Sequence, residues 1–259
     1  MSRMIMDTKR VLMAAWRVYA EAFPTYFAAG NAEMDVDCGG IAVPLFNLAY
    51  PKTAEVIEAG ELVRLMREFG EILAPRGIPG LLFVRTDRVE APVGVEPLFR
   101  MPGMVAGELI APNYPVKDLD IREVADLEMA AAIARLNTEA HGMRAEDAEA
   151  MTCMELWRTP NHGFLLYADG AAVTAGSVTF AEGVSYVGWM ATRAECRGRG
   201  YAEAILRHMD AFMKRKYGVK ESVLHATEMG RPVYERLGFH VVDEFAGYLC
   251  VPAANAATA

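Results

Sequence analysis

Two acid–glycine pairs, Asp169-Gly170 and Glu182-Gly183, stand one strand length apart in apolar, β-branched sequence. A glycine after an acidic residue supplies the positive φ that a tight hairpin requires. Phe164–Tyr167 therefore turns through the first pair into Val173–Phe180, and the second pair turns that strand into Val184–Ala191. Three strands in succession form an antiparallel meander, which commits this part of the chain to a sheet. Apolar residues then recur as Ala202, Ile205, Leu206, Met209, Phe212 and Met213, the period of an amphipathic helix. A strand over Ser222–Ala226, a short helix over Arg231–Leu237 and a last strand over His240–Leu249 come next. Ahead of the meander the pattern predicts a strand over Leu119–Val124 and helices over Asp126–Leu136 and Ala145–Trp157.

The run APNYPVK, residues 111–117, reads as a linker, because proline drives its predecessor toward extended backbone. With the boundary near Asn113, the chain divides into an N-terminal α/β domain (1–112) and a larger domain (117–250). The N-terminal domain is expected to run helix Thr8–Ala28, strand Ile41–Leu48, helix Ala54–Leu73, strand Leu81–Val84 and an extended stretch Glu96–Ile110. The C-terminal VPAANAATA is expected to fray. In a chain of 259 residues, 53% hydrophobic and 23% charged, both parts can bury a core. The formal charge of -8 argues against general nucleic-acid binding, which draws on surplus Lys and Arg. Apolar runs fall short of the roughly 20 residues that span a bilayer, so no membrane partner is expected. Cys38, Cys153, Cys196 and Cys250 lack C-x-x-C spacing, and with no secretory signal they read as reduced thiols of a cytoplasmic protein.

The chemistry sits between the meander and the amphipathic helix, at Arg197-Gly198-Arg199-Gly200-Tyr201-Ala202. A glycine-rich turn that opens a helix leaves several N–H groups without intrahelical partners, aimed at one point. The helix dipole adds partial positive charge there, giving a site suited to a pyrophosphate. Glycine lets the phosphate approach the backbone, and Arg193, Arg197 and Arg199 add charge at the rim. Neither G-x-x-x-x-G-K-[ST] nor G-x-G-x-x-G is present. Tyr234 lies 34 residues after Gly200, within Val233-Tyr234-Glu235-Arg236-Leu237-Gly238-Phe239.

This combination resembles the GNAT superfamily of N-acyltransferases. The family turn Q/R-x-x-G-x-G/A is matched by Arg197–Ala202 at every defined position, and the family's Tyr followed by Leu-Gly-Phe is matched at Tyr234. The resemblance runs from Lys117 to Leu249. It implies an α/β fold with a mixed, mostly antiparallel sheet flanked by helices, preceded here by the smaller domain. It also implies acetyl-coenzyme A as co-substrate, no metal, and a small-molecule or peptide amine as acceptor; a homodimer is compatible with it. By the same resemblance the strands Val184–Ala191 and Ser222–Ala226 splay, and the backbone of Met190, Ala191 and Thr192 pairs with the pantetheine arm. The Met190 N–H then polarises the thioester, Arg197, Gly198, Arg199, Gly200, Tyr201 and Ala202 hold the pyrophosphate, and Tyr234 acts as general acid. Thr227 stands where relatives often place an Asn that contacts the pantetheine.

The base is not assigned. Relatives often carry a Glu or His on the fourth strand, where this chain has Ser185, Tyr186, Trp189 and Thr192. His225 and Glu228 are the nearest ionisable groups, and His141, His162, His208 and His240 show no ligand spacing. The N-terminal domain faintly echoes the element order of the second, as a degenerate copy lacking both motifs would, and is a candidate for one wall of the acceptor pocket. The leading function is acetyl or short-acyl transfer to a primary amine; the alternative is a non-catalytic acyl-coenzyme A-binding or regulatory protein.

Overall fold

The computed structural model describes residues 7–53, 55–90, 94–112 and 119–252; residues 113–118, where the linker is expected, and 253–259, the expected frayed tail, lie outside them. In chain order the first elements are α1 (Thr8–Glu21), β1 (Phe27–Gly30), β2 (Met34–Cys38), β3 (Asn47–Pro51), α2 (Ala59–Leu73), β4 (Gly80–Arg85) and β5 (Phe99–Ala106). Then come β6 (Asp120–Glu123), α3 (Leu127–His141), α4 (Ala145–Ala150), β7 (Asn161–Ala168), β8 (Ala171–Ala181) and β9 (Val184–Thr192). The last are α5 (Tyr201–Tyr217), β10 (Ser222–His225), α6 (Arg231–Arg236) and β11 (His240–Cys250). No helix among the described residues is long and apolar enough to cross a membrane.

The chain forms two compact units that interleave along the sequence. One is Met1–Val18 with Gly103–Val242, and the other is Tyr19–Pro102 with Asp243–Ala259. Most of α1 thus belongs with the meander, and most of β11 with the N-terminal strands.

In the first unit the strand order is β5-β10-β9-β8-β7-β6, antiparallel throughout except for the parallel β9–β10 pair. Both hairpins form at the expected pairs. Asp169 and Glu182 each sit at φ 51 with the following glycine also at positive φ, the primed turn that matches strand twist. Strand β9 is irregular in two ways. Its register with β8 slips between the pairs Ala175↔Ala191 and Ser177↔Gly188, so Gly176 faces both Trp189 and Met190 across a bulge. Its parallel pairing with β10 covers only Ser185–Val187 against Ser222–Leu224, and beyond Leu224 the two strands part.

Helices cover both faces of this sheet. Ala204, Ile205, Leu206, Met209 and Met213 of α5 are buried with Phe164, Leu166, Val178 and Val187. Ala202 and Phe212, expected on that buried face, are only partly covered, and Ala204 takes the place of Ala202. On the other face a side chain at Gly163 would collide with Trp157 and with Ile133 of α3, so glycine is what lets α3 lie close. Asp126 caps α3 by accepting from the Met129 N–H at 2.9 Å.

The second unit orders its strands β1-β2-β3-β4-β11, with β3 and β4 parallel and joined by α2. Leu62, Leu65 and Phe69 of α2 bury against Val36, Ala49, Leu82, Ala246 and Tyr248.

Four sequence expectations are corrected. The helix expected over Thr8–Ala28 ends at Glu21, three residues before Pro24, which cannot donate to a helical carbonyl. The strand expected over Ile41–Leu48 begins only at Asn47, because Pro44–Phe46 coils into a 3-10 turn. The helix expected from Ala54 starts at Ala59. The helix expected over Ala145–Trp157 stops at Ala150, where the Thr152 hydroxyl donates back to the Ala148 carbonyl at 2.8 Å; a separate 3-10 turn spans Glu155–Trp157.

Candidate functional site

The site residues expected from sequence gather where β9 and β10 part. Met190, Ala191 and Thr192 end β9, and Ala194–Cys196 forms a 3-10 turn leading into the glycine turn. Gly198 and Gly200 adopt φ 74 and φ 81, a region a Cβ disfavours, and a Cβ on either would meet only open space. The turn therefore keeps an uncovered approach to its backbone. Gly200 caps α5 without a side-chain bond, and among the described residues the N–H groups of Gly198 through Glu203 reach no protein acceptor. Arg193, Arg197 and Arg199 are exposed at this rim. Arg197 Nε donates to the Thr192 carbonyl at 3.2 Å and Arg199 Nη2 to the Glu195 carbonyl at 3.1 Å, which pins the turn from both sides.

The bulge is the feature that sequence reasoning missed. Trp189 holds φ 54, uncommon for a residue with a bulky side chain, and no glycine marks the position. Asn137 of α3 braces it, donating from Nδ2 to the Trp189 carbonyl and to the Ile133 carbonyl, both at 3.1 Å. Met190 turns its sulfur over Gly176, where a Cβ would approach it to 2.7 Å. The Trp189 ring meets Trp157 edge-on, with centroids 5.3 Å apart.

Tyr234 of α6 is buried beside β10, its ring edge-on to Phe239 at 5.9 Å, and burial pushes its hydroxyl well above the usual phenol range. That hydroxyl therefore stays protonated across the neutral range and keeps a proton to donate. Thr227 accepts from the Gly230 N–H at 3.2 Å, leaving its own O–H free to donate elsewhere.

The opposite face of the parting strands is aromatic. Val223 pairs with Tyr186, so His225, two residues on, shares the face of Tyr186, and their rings lie 5.9 Å apart. The Trp16 indole donates to the Tyr186 hydroxyl at 3.1 Å, and Thr8 Oγ1 lies 3.3 Å from His225 Nε2. Burial pushes His225 down to about 3, so it is neutral at physiological pH. Glu228 is exposed beyond the strand. No group of three or more His, Cys, Asp or Glu among the described residues is placed to hold a metal. A groove of about 400 Å³ between α3 and the β7–β8 turn, lined by Arg122, Asp126, Arg135 and Glu139 and sharing Arg193 with the rim of the glycine turn, mixes both charge signs.

Residues 160–241 match the family model of the acetyltransferase (GNAT) domain. This stretch is a GNAT domain. It takes in the meander, the glycine turn, α5, β10 and α6, and leaves α3, α4 and β6 outside the match. The fold extends the likeness to nearly the whole chain. A GCN5-related N-acetyltransferase from Kribbella flavida superposes with a TM-score of 0.64 at 15% identity, covering 95% of this chain and 98% of that one. A functionally unknown conserved protein from Staphylococcus epidermidis gives 0.65 at 9% identity, covering 87% and 93%. A GCN5-related N-acetyltransferase from Sphaerobacter thermophilus gives 0.53 at 18%, covering 89% and 81%. No curated protein matches the sequence. At these identities the solved structures speak for the fold of the GNAT domain and of the unit before it, and not for a substrate.

Proposed function

We propose that the chain transfers an acetyl or short acyl group from acetyl-coenzyme A to a primary amine by direct attack on the thioester. The observation that carries this reading is the uncovered turn Gly198–Glu203, six N–H groups without protein acceptors, opening a helix at the end of a strand that parts from its neighbour. Such a turn suits a pyrophosphate, with Arg197, Gly198, Arg199, Gly200, Tyr201 and Ala202 as its cradle. The gap between β9 and β10 suits the pantetheine arm, paired along Met190, Ala191 and Thr192, with the Thr227 hydroxyl within the same strand ends.

The bulge turns the Met190 N–H out of the regular ladder, and in this reading that group donates to the thioester carbonyl as negative charge develops on oxygen. One such preorganised donor contributes about 3 kcal/mol to transition-state stabilisation. In this reading Tyr234, protonated at neutral pH, gives its proton to the departing thiolate. The amine adds to the carbonyl carbon, the C–S bond breaks, and an amide and a free thiol leave.

Calorimetric titration with acetyl-coenzyme A, followed by thiol release with spermine, alanine amide and phenethylamine, tests this. Saturable micromolar binding and turnover with at least one amine are expected. Binding with no turnover across the three would favour a non-catalytic acyl-coenzyme A-binding protein, and no binding would end the cofactor assignment.

A further inference from the structure

Transfer to an amine releases a proton from nitrogen, and β9 carries neither carboxylate nor imidazole to receive it. His225 is buried and engaged by Thr8. The last turn of α3 offers another imidazole. Asn137 and His141 are four residues apart and so share one helix face. That face meets the bulge: Asn137 donates to the Trp189 carbonyl at 3.1 Å, and His141, one turn further on, lies near enough to the backbone of Met190, the next residue, to be influenced by it. His141 ends the helix immediately before Gly142, at φ 63, and keeps its exposure to solvent. A neutral imidazole carries one N–H and one unprotonated nitrogen, and the second of these can accept a proton.

We infer that His141 is the general base of the transfer, its unprotonated ring nitrogen taking the proton of the acceptor amine beside Met190. The inference rests on the acyl-transfer reading and names the group that reading leaves open. The amine lone pair forms the C–N bond while the carbonyl π pair moves to oxygen. The ammonium N–H proton passes to His141, making an imidazolium. Collapse of the oxyanion breaks C–S, the thiolate takes the Tyr234 proton, and solvent then deprotonates His141 and reprotonates Tyr234. Desolvation, followed by the positive charge of Arg197, lowers His141 below the usual 6.5, while the Met190 backbone pulls the other way. Arg197 is the charged side chain that acts on it among the described residues. The ring is thus unprotonated at neutral pH, and activity falls as pH drops through a value below 6.5.

The test measures kcat/KM against pH for acetyl transfer to spermine, alanine amide and phenethylamine, in wild type, His141→Gln and His141→Ala. Acetyl-coenzyme A affinity is measured in parallel by calorimetry. His141→Gln is expected to lose about 100-fold or more in kcat/KM and the acid limb of the profile, while cofactor affinity stays within threefold. Added imidazole is expected to restore part of the His141→Ala rate. Retention of kcat/KM within threefold with the acid limb intact overturns the inference. So does a parallel fall in cofactor affinity and melting temperature without rescue, which would make His141 a brace for the bulge. If wild type binds acetyl-coenzyme A and acetylates none of the three amines, the acyl-transfer reading itself fails, an outcome distinct from either of these.

Discussion

The two units run the same elements in the same order and differ in what stands between strand and helix. In each, three strands form an antiparallel meander, a helix crosses over, and the next strand lies parallel to the last of the meander: β7-β8-β9-α5-β10 and β1-β2-β3-α2-β4. In each the parallel pairing is short, three residue pairs between β9 and β10 and two between β3 and β4. Yet α5 opens on Gly200 with three arginines nearby, whereas α2 opens on Glu58 and carries Glu61 in its first turn. A carboxylate at a helix N-terminus stabilises the helix but repels a second anion. Parting strands beneath a crossover helix are therefore a property of the fold, and the proposed anion site is a property of six residues laid over it.

The strongest way to break this comparison is to exchange the charge. Arg199→Glu with Gly200→Asp adds carboxylates and forces a Cβ into the left-handed region, at roughly 1 kcal/mol for the backbone alone. Calorimetry is expected to show acetyl-coenzyme A affinity falling at least 100-fold, while Glu58→Gln with Glu61→Gln on α2 leaves it unchanged. A response to the α2 pair and none to the turn would reverse the assignment. A finer test makes one chemical change in both units. Tyr234→Phe is expected to lower kcat about 10- to 100-fold with cofactor affinity preserved, since it removes a proton donor and no packing; full turnover would remove Tyr234 from the mechanism. Tyr248→Phe removes a buried hydroxyl that has no hydrogen-bond partner among the described residues. There the expected outcome is unchanged activity and a melting temperature higher by about 1–3 °C, reflecting roughly 0.5–1 kcal/mol.

Where local chemistry decides, the sequence was readable. Asp169-Gly170 and Glu182-Gly183 specify hairpins through their own backbone preferences, and Gly198 and Gly200 reserve the φ values that their turn uses. Elements whose ends depend on competition were less so. Ala145–Trp157 carries a helical apolar pattern, but Thr152 bonds back to Ala148 and the helix stops at Ala150. Val43-Pro44 lies inside an apolar run that reads as strand until proline coils it. Features made by tertiary contact were not readable at all. Nothing in Gly188-Trp189-Met190 announces a bulge held by Asn137 more than fifty residues earlier, and His141 acquires its place only through that same contact. The interleaving of the units was equally hidden, because β11 joins strands far earlier in the sequence through pairing that no local pattern announces.

That interleaving has a consequence for how the chain must be made. β4 is bordered on one side by β11, with residue 85 set against residue 245. A ribosome emits β4 first, yet the strand that completes its sheet follows more than 150 residues later, β4 ending at Arg85 and β11 beginning at His240. Until then the hydrogen-bonding edge of β4 has no native antiparallel neighbour, and an uncovered edge is a template for pairing with other chains. The early strands must therefore wait through the synthesis of more than 150 residues with one side open. Its protection during that interval falls to chaperones or to speed, and not to its own fold.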